Sequence, residues 1–170
     1  LRGFTGNGID KYLDTGFNAS VTPHGLTINN QHIGIFEYTK SPPGGFSGSF
    51  SAGSDNSRTR VMGQGGTGNI VTTGNVSISF ATTTSSPPHH IGGSRTGSTS
   101  FSAFDNGVVV ATSGTAASST VPTAMRVLRA NTNFSDRTCS VFHVGLGLTD
   151  AKYTALVLAI RKFGQLIGAL

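Results

Sequence analysis

Short runs in which apolar and polar residues alternate dominate the chain, and only its C-terminal segment changes period. The cleanest alternation is "NVSISFAT", where Val76, Ile78 and Phe80 fall on one side and Ser77, Ser79 and Ala81 on the other. A period of two predicts a half-buried antiparallel strand with one wet face. "NNQHIGIFEYTK", "AMRVLRA" and "CSVFHVGLG" read as further strands, and "FSGSFSAGSDNSRTRVMG" as two weaker ones about a turn at Ser54-Asp55-Asn56. Near the start, a short strand around Tyr12-Leu13 is followed by a turn at Thr15-Gly16. Ser41-Pro42-Pro43-Gly44-Gly45 closes the strand before it. "TTTSSPPHHIGGSRTGSTS" reads as a loop, because its two prolines interrupt any ladder.

The strongest turn signal is Asp105-Asn106-Gly107, inside "FSAFDNGVVVATS". Asn-Gly between two runs of strand formers predicts a two-residue hairpin, since both central positions of a type I′ turn need φ > 0. The expected pairs are Asp105 with Val108, Phe104 with Val109, and Ala103 with Val110.

In "LTDAKYTALVLAIRKFGQLIGAL" the apolar positions Tyr153, Leu156, Val157, Ile160, Phe163 and Ile167 recur at helical spacing. A helix over about 149–167 follows, with Thr149 as N-cap and Asp150 complementing the positive end. Its apolar stripe is expected to lie along the strands, with an oligomer contact as the other use. No repeat of fixed period appears, which excludes propellers and solenoids. Many short strands and one trailing amphipathic helix predict an all-β protein: an antiparallel two-sheet β-sandwich with one C-terminal α-helix, in a single domain over 1–170.

Composition supports a folded all-β chain. The 170 residues include 24 Gly and 11 Phe, and only 11% are charged. A disordered chain would carry more charge and fewer aromatics. The net charge of +5 comes from 12 Lys and Arg scattered without a run longer than two, against 7 acids. A nucleic-acid interface would cluster them, so nucleic acid is not an expected partner. No apolar run approaches the ~20 residues needed to cross a bilayer, so membrane insertion is not expected. A single cysteine, Cys139, excludes an intrachain disulfide, and its strand-like setting "RTCSVFHV" reads as a small buried thiol. "LRGFTGNG" opens without an initiator Met or a leader-like segment, as a module of a longer protein would.

Three stretches, in this order, carry a resemblance: Phe4-Thr5-Gly6-Asn7-Gly8 running on to "YLDTGFN", then "HIGGSRTGSTSFSAFDNG", then "FHVGLGLTDAKYTAL". Together they resemble the concanavalin A-like (laminin G-like) jelly-roll domains, which occur in bacteriophage structural proteins and in secreted glycan-active proteins. The resemblance implies a jelly roll, and a function among lectins, carbohydrate-binding modules, glucanases and structural virion domains. Fold alone does not choose among these.

The chemistry of single residues narrows the choice. Glucanases of this superfamily carry a Glu-x-Asp-x-Glu strand, whose carboxylates flank the scissile bond. Here the sole glutamate, Glu37, has Ile35 and Thr39 two residues to either side, so that constellation is absent and no enzyme is expected. "GQGGTGNI" lacks the Lys-Ser/Thr of a phosphate loop. His89-His90 are adjacent, hence on opposite faces of an extended chain, and read as solvated loop residues rather than a metal pair. Calcium is the one cofactor left open, with Asp10, Asp14 and Asn18 as candidate oxygens at one end and Asp105 with Asn106 at another.

Two functions remain. One is lectin-like attachment to a cell-surface glycan, with Tyr38, His89, His90 and Arg95 as the candidate binding surface. The other is a structural module of a virus particle, in a tail fibre, spike or capsid decoration. Its partners would then be neighbouring virion proteins or further copies of itself. Either reading gives a virion or extracellular location.

Overall fold

A computed structural model describes residues 3–18, 26–38, 49–52, 59–64, 68–81, 88–118, 124–130 and 133–168. The expected proline-rich strand end at 41–45 and the turn at 54–56 lie outside them. Two antiparallel sheets of six strands face one another. The first is ordered β1 (Phe4–Thr5), β14 (Thr138–Gly145), β3 (Gln31–Glu37), β8 (His89–Gly97), β9 (Ser100–Asp105), β10 (Val108–Ser113). The second is ordered β2 (Leu13–Asn18), β11 (Ala124–Val127), β4 (Ser49–Ala52), β5 (Thr59–Gln64), β6 (Gly68–Thr73), β7 (Val76–Phe80). A short pair, β12 (Arg129–Ala130) with β13 (Asn133–Phe134), stands apart, and α1 (Asp150–Leu166) follows the strands.

The alternation written in the sequence builds the core between the sheets. Val76, Ile78 and Phe80 are buried while Ser77 and Ser79 are exposed, as the period of two requires. They meet Ile33, Ile35, Ile91, Phe101 and Ala103 from the opposite sheet. The outer face of the first sheet is covered by α1, where Phe36 and Phe104 pack on Tyr153 and Val157. The order of layers is therefore sheet, sheet, helix. β3 lies at the middle of the first sheet and is buried along its whole length. Its alternation carries no wet face because both faces are covered.

Glycines determine how closely the helix approaches. Gly34 and Gly92 are direct partners across β3 and β8. A Cβ on Gly92 would overlap the Tyr153 hydroxyl, and one on Gly34 would crowd both Tyr153 and His143. The bare backbone at this pair lets the Tyr153 phenol lie against the sheet and donate to the Ile33 carbonyl at 2.9 Å.

The hairpin turns at Asn106 (φ 50°) and Gly107 (φ 84°), with Asp105 opposite Val108 and Phe104 opposite Val109. The third expected pair does not form. A bulge after Val109 sets Ala103 opposite Ala111 instead of Val110. Thr15-Gly16 is likewise a bulge and not a turn: the chain runs on through β2 with Gly16 at φ 66°, while the pairing register shifts. Thr149 occupies the N-cap, but its side chain makes no capping bond. The helical stripe is covered over its first half only. Tyr153 and Val157 are fully buried, whereas Phe163 is 62% and Ile167 60% exposed.

Candidate functional site

The residues expected to form a sugar surface are placed far apart in kind. His89 and His90 are not loop residues; they begin β8, a strand enclosed by the opposite sheet and the helix, and both are buried. His90 faces the helix. Its Nε2 lies 3.0 Å from His143 Nε2, with the two rings stacked at 9°. His32 adjoins them and bonds the Leu146 carbonyl through Nδ1 at 2.6 Å. A carbonyl only accepts, so Nδ1 of His32 carries the proton. Burial lowers the pKa of all three, that of His143 to about 3 with His32 adding repulsion. This is a neutral, enclosed imidazole cluster.

His89 points the other way, into the sandwich, where its Nε2 meets Asp105 Oδ1 at 2.5 Å. Beside it, directly across the β3–β8 ladder, Glu37 is ion-paired with Arg137. Both pairs are buried, and each holds one carboxylate against one cation or imidazole. The neighbouring Cys139 thiol is pushed up to about 12 by burial and by Glu37, so it remains an inert thiol. Arg95 is fully buried at the other end of the same strand. It donates to Thr73 Oγ1 and to the carbonyls of Gly97, Ser98 and Thr115, and lies over the Phe101 ring. Tyr38 is half-buried at the end of β3, its N–H bonded to the Thr138 carbonyl. These four residues therefore do not share an exposed surface.

The calcium candidates are also engaged within the protein. Asp10 Oδ1 accepts from the Asn7 amide, and Asp14 accepts from the Gly16 N–H. Asp105 is taken by His89, and the Asn106 oxygen accepts from His90 N–H and from Arg161. Among the described residues no group of three or more His, Cys, Asp or Glu could hold a metal ion. A calcium ion needs about six to eight oxygens, and among the described residues these candidates gather no acid cluster of that kind.

A different constellation does converge, on the outward side of the second sheet at the β2 edge. Alternation along β11 buries Met125 and Val127 and turns Arg126 outward, opposite Asp14. The next residue, Leu128, would point outward too, but its φ is 69°. That left-handed turn rotates its side chain into the core, where it is fully buried beside Val127. Arg129 consequently emerges on the same side as Arg126. A left-handed non-glycine residue costs roughly 1–2 kcal/mol, and burying a leucine side chain offsets a strain of that size. The Leu128 carbonyl is also held by the Ser135 N–H at 2.9 Å.

The result is a half-buried Tyr12 ring with two guanidinium groups on it: Arg129 Cζ at 4.8 Å and Arg126 Cζ at 5.7 Å from its centroid. Arg129 also lies 5.3 Å from the Phe134 centroid, and the two aromatic rings are 6.0 Å apart. Asp14 Oδ2 stands 3.8 Å from Arg126, both side chains being partly exposed. Just before Tyr12 the chain is stiffened, because Asn7 Oδ1 accepts the N–H groups of Ile9, Asp10 and Lys11. Sequence reasoning missed this site for a definite reason. In "MRVLRA" the two arginines are three apart, which places them on opposite faces of a regular strand. Only the turn at Leu128, a residue type that gives no such signal, brings them together.

No protein-family model and no curated protein matches the chain. Among solved structures, the chain is similar to domain 4 of AbnA, a GH43 extracellular arabinanase from Geobacillus stearothermophilus, in complex with arabinotriose. The TM-score is 0.53 at 11% identity, over 76% of this chain and 66% of that one. A likeness at that identity is one of fold, and it agrees with the β-sandwich described above.

Proposed function

We propose that this protein is a non-catalytic attachment module that binds a glycan at Tyr12, Arg126 and Arg129. One observation carries the reading: a half-buried phenol ring has two partly exposed arginines over it, their Cζ atoms 5.7 and 4.8 Å from its centroid, on the outward side of the second sheet. Sugar sites combine an apolar ring with a few fixed polar groups, and this patch offers both. The fold likeness to a domain whose structure is in complex with arabinotriose supports a sugar as the ligand class. The pairing of Glu37 with Arg137 and of Asp105 with His89, inside the sandwich, supports a role without bond cleavage. The setting, a bacteriophage tail fibre or spike, rests on the sequence resemblance alone.

The test is calorimetric titration with arabino-oligosaccharides and a wider glycan panel, for the protein and for Tyr12→Ala. Binding that weakens at least ~10-fold in the variant, the loss of one stacked ring and its neighbours, is expected. Absence of binding at millimolar sugar, or unchanged binding by Tyr12→Ala, would refute the reading.

A second reading is a purely structural virion module that packs against copies of itself. It is favoured by the far end of α1, where Leu166 is 79% and Phe163 62% exposed. Solution mass by size exclusion separates the two: a stable oligomer without sugar affinity supports the structural module, and a sugar-binding monomer the attachment module.

A further inference from the structure

We infer that α1 is an acid-released strap: protonation of the histidines beneath it frees the helix as a unit while the two-sheet sandwich stays folded. This is independent of the Tyr12 patch, which lies on the second sheet. Three imidazoles set the geometry. His32, His90 and His143 come from three neighbouring strands, β3, β8 and β14. Their ring centroids lie 5.8, 5.8 and 5.7 Å from that of Tyr153. Tyr153 seats the helix, stacked on Phe104 at 4.1 Å and donating to the Ile33 carbonyl at 2.9 Å. A charge on any of these rings is therefore a charge at the helix anchor.

The cluster accommodates neutral rings only. His90 and His143 meet through their Nε2 atoms at 3.0 Å, a contact that a neutral pair satisfies with one proton. The Nδ1 atoms of both rings are buried and have no hydrogen-bond partner. A protonated ring carries N–H on both nitrogens, so it would aim a charged donor at no acceptor. Neighbouring charges add to the cost. From α1, Arg161 bonds Asn106 Oδ1 at 2.6 Å and repels a charge on His90. From β8, His89 lies on the other face with Asp105, and there Glu37 of β3 is paired with Arg137. Among the described residues, the charged groups acting on His90 and His143 are all cationic, so no carboxylate offsets an added proton. Burial accordingly holds all three rings below their ordinary value, and brings His143 to about 3.

Two separate apolar clusters make the release local. Phe36, Phe104, Tyr153 and Val157 form one under the helix, and Ile35, Val71 and Ile91 belong to the other, between the sheets. Two further side chains fasten the helix, Thr154 on the Gly107 carbonyl and Arg161 on Asn106, both at a single hairpin. Lifting α1 opens the first cluster and leaves the second closed, the form of a sub-global opening. The seated pKa lies below the ordinary one, so docking is at full strength above pH 6.5 and weakens below it. Each pH unit of that fall favours the released helix by about tenfold through His143 alone, until its seated value of about 3 is reached.

The experiment follows amide exchange of the whole protein by mass spectrometry at pH ~7.5 and ~4.5, corrected for the intrinsic pH dependence of exchange. Peptides from Asp150–Leu166 should lose protection at least ~10-fold more than those from β6 and β7, and regain it on return to neutral pH. Equal loss in both regions would be global acid unfolding and would overturn the inference. Unchanged protection of the helix at the lower pH would overturn it as well. His143→Gln removes one titrating ring and should move the release to lower pH; a profile identical to the parent's would count against the cluster as its source. Should that variant not fold at neutral pH, Tyr153→Phe decides. It keeps the ring but loses the bond to Ile33, and should release at higher pH than the parent, whereas an unmoved profile would contradict Tyr153 as the anchor.

Discussion

The Tyr153 hydroxyl reaches the Ile33 carbonyl at 2.9 Å through a gap in the sheet made by two facing glycines. A helix is thereby fastened to the middle of a sheet, at the point where neither strand has a side chain. Gly92→Ala should be the costlier of two tests, because its methyl group would overlap the hydroxyl and also approach the Ile33 carbonyl to 2.6 Å. Overpacking of this kind costs about 1–3 kcal/mol or more. Tyr153→Phe, which only removes the hydrogen bond, should cost about 1–2 kcal/mol. Urea midpoints with an unchanged slope measure both, and a neutral Gly92→Ala would contradict the close approach.

Arg95 is expected to act in the interior and not on a surface. With its guanidinium bonded to Thr73 and to three backbone carbonyls, Arg95→Met leaves those acceptors without their donor. The loss should reach roughly 3–5 kcal/mol, the range for breaking buried charged contacts. Arg126→Gln at the outer face should cost less than 1 kcal/mol, as exposed ion pairs do. Chemical denaturation of the two variants side by side checks the ordering.

At Leu128 the usual ranking of small residues should invert. Leu128→Ala and Leu128→Gly both empty the same buried site, at about 2–5 kcal/mol. At φ 69° alanine is strained and glycine is not. Leu128→Gly should therefore be the more stable of the two by roughly 1 kcal/mol. If alanine proved the better replacement, as it is in ordinary strands, the left-handed turn would be wrong.

Acid should loosen the helix from the sheet. His143 has a folded pKa of about 3 against an ordinary 6.5, with His90, His32 and Tyr153 packed on it, and Arg161 adds positive charge near His90. The folded pKa lies below the unfolded one, so between those values the unfolded chain binds the extra proton. Stability is full above pH 6.5 and falls as the pH drops toward 3. The slope for one such histidine is about 1.4 kcal/mol per pH unit. His143→Gln should flatten the dependence of the urea midpoint on pH by that amount; a slope identical to the parent's would rule out His143 as its source.

The framework was legible where the local signal and the tertiary one agree. Val76, Ile78 and Phe80 alternate because a single face is buried, and Asn106-Gly107 turns because those residue types tolerate φ > 0. Residues 89–97 misled because two prolines stand directly before them, yet the strand begins at His89, just past Pro88, and its Gly, Ser and Thr do not break it. Those residues mark close packing instead: Gly92 admits Tyr153, and Gly93 lies against Val71 and Phe101. The histidines beside them are buried because sheet and helix close on β8 from both sides, which no local period records. The candidate site was illegible for the opposite reason. It depends on one strained leucine, and strain leaves no compositional trace.

The strand order of the first sheet has a consequence for how the chain comes together during synthesis. β3 is flanked by β8 on one side and β14 on the other, and among the described strands β1 pairs with β14 alone. A chain emerging from its N-terminus must therefore carry Ile33, Ile35 and Phe36 without a lateral partner until β8 is made, and without the second until β14 follows near the end. Long loops are closed before these contacts form, which makes a slow folder and one exposed to self-association on the way.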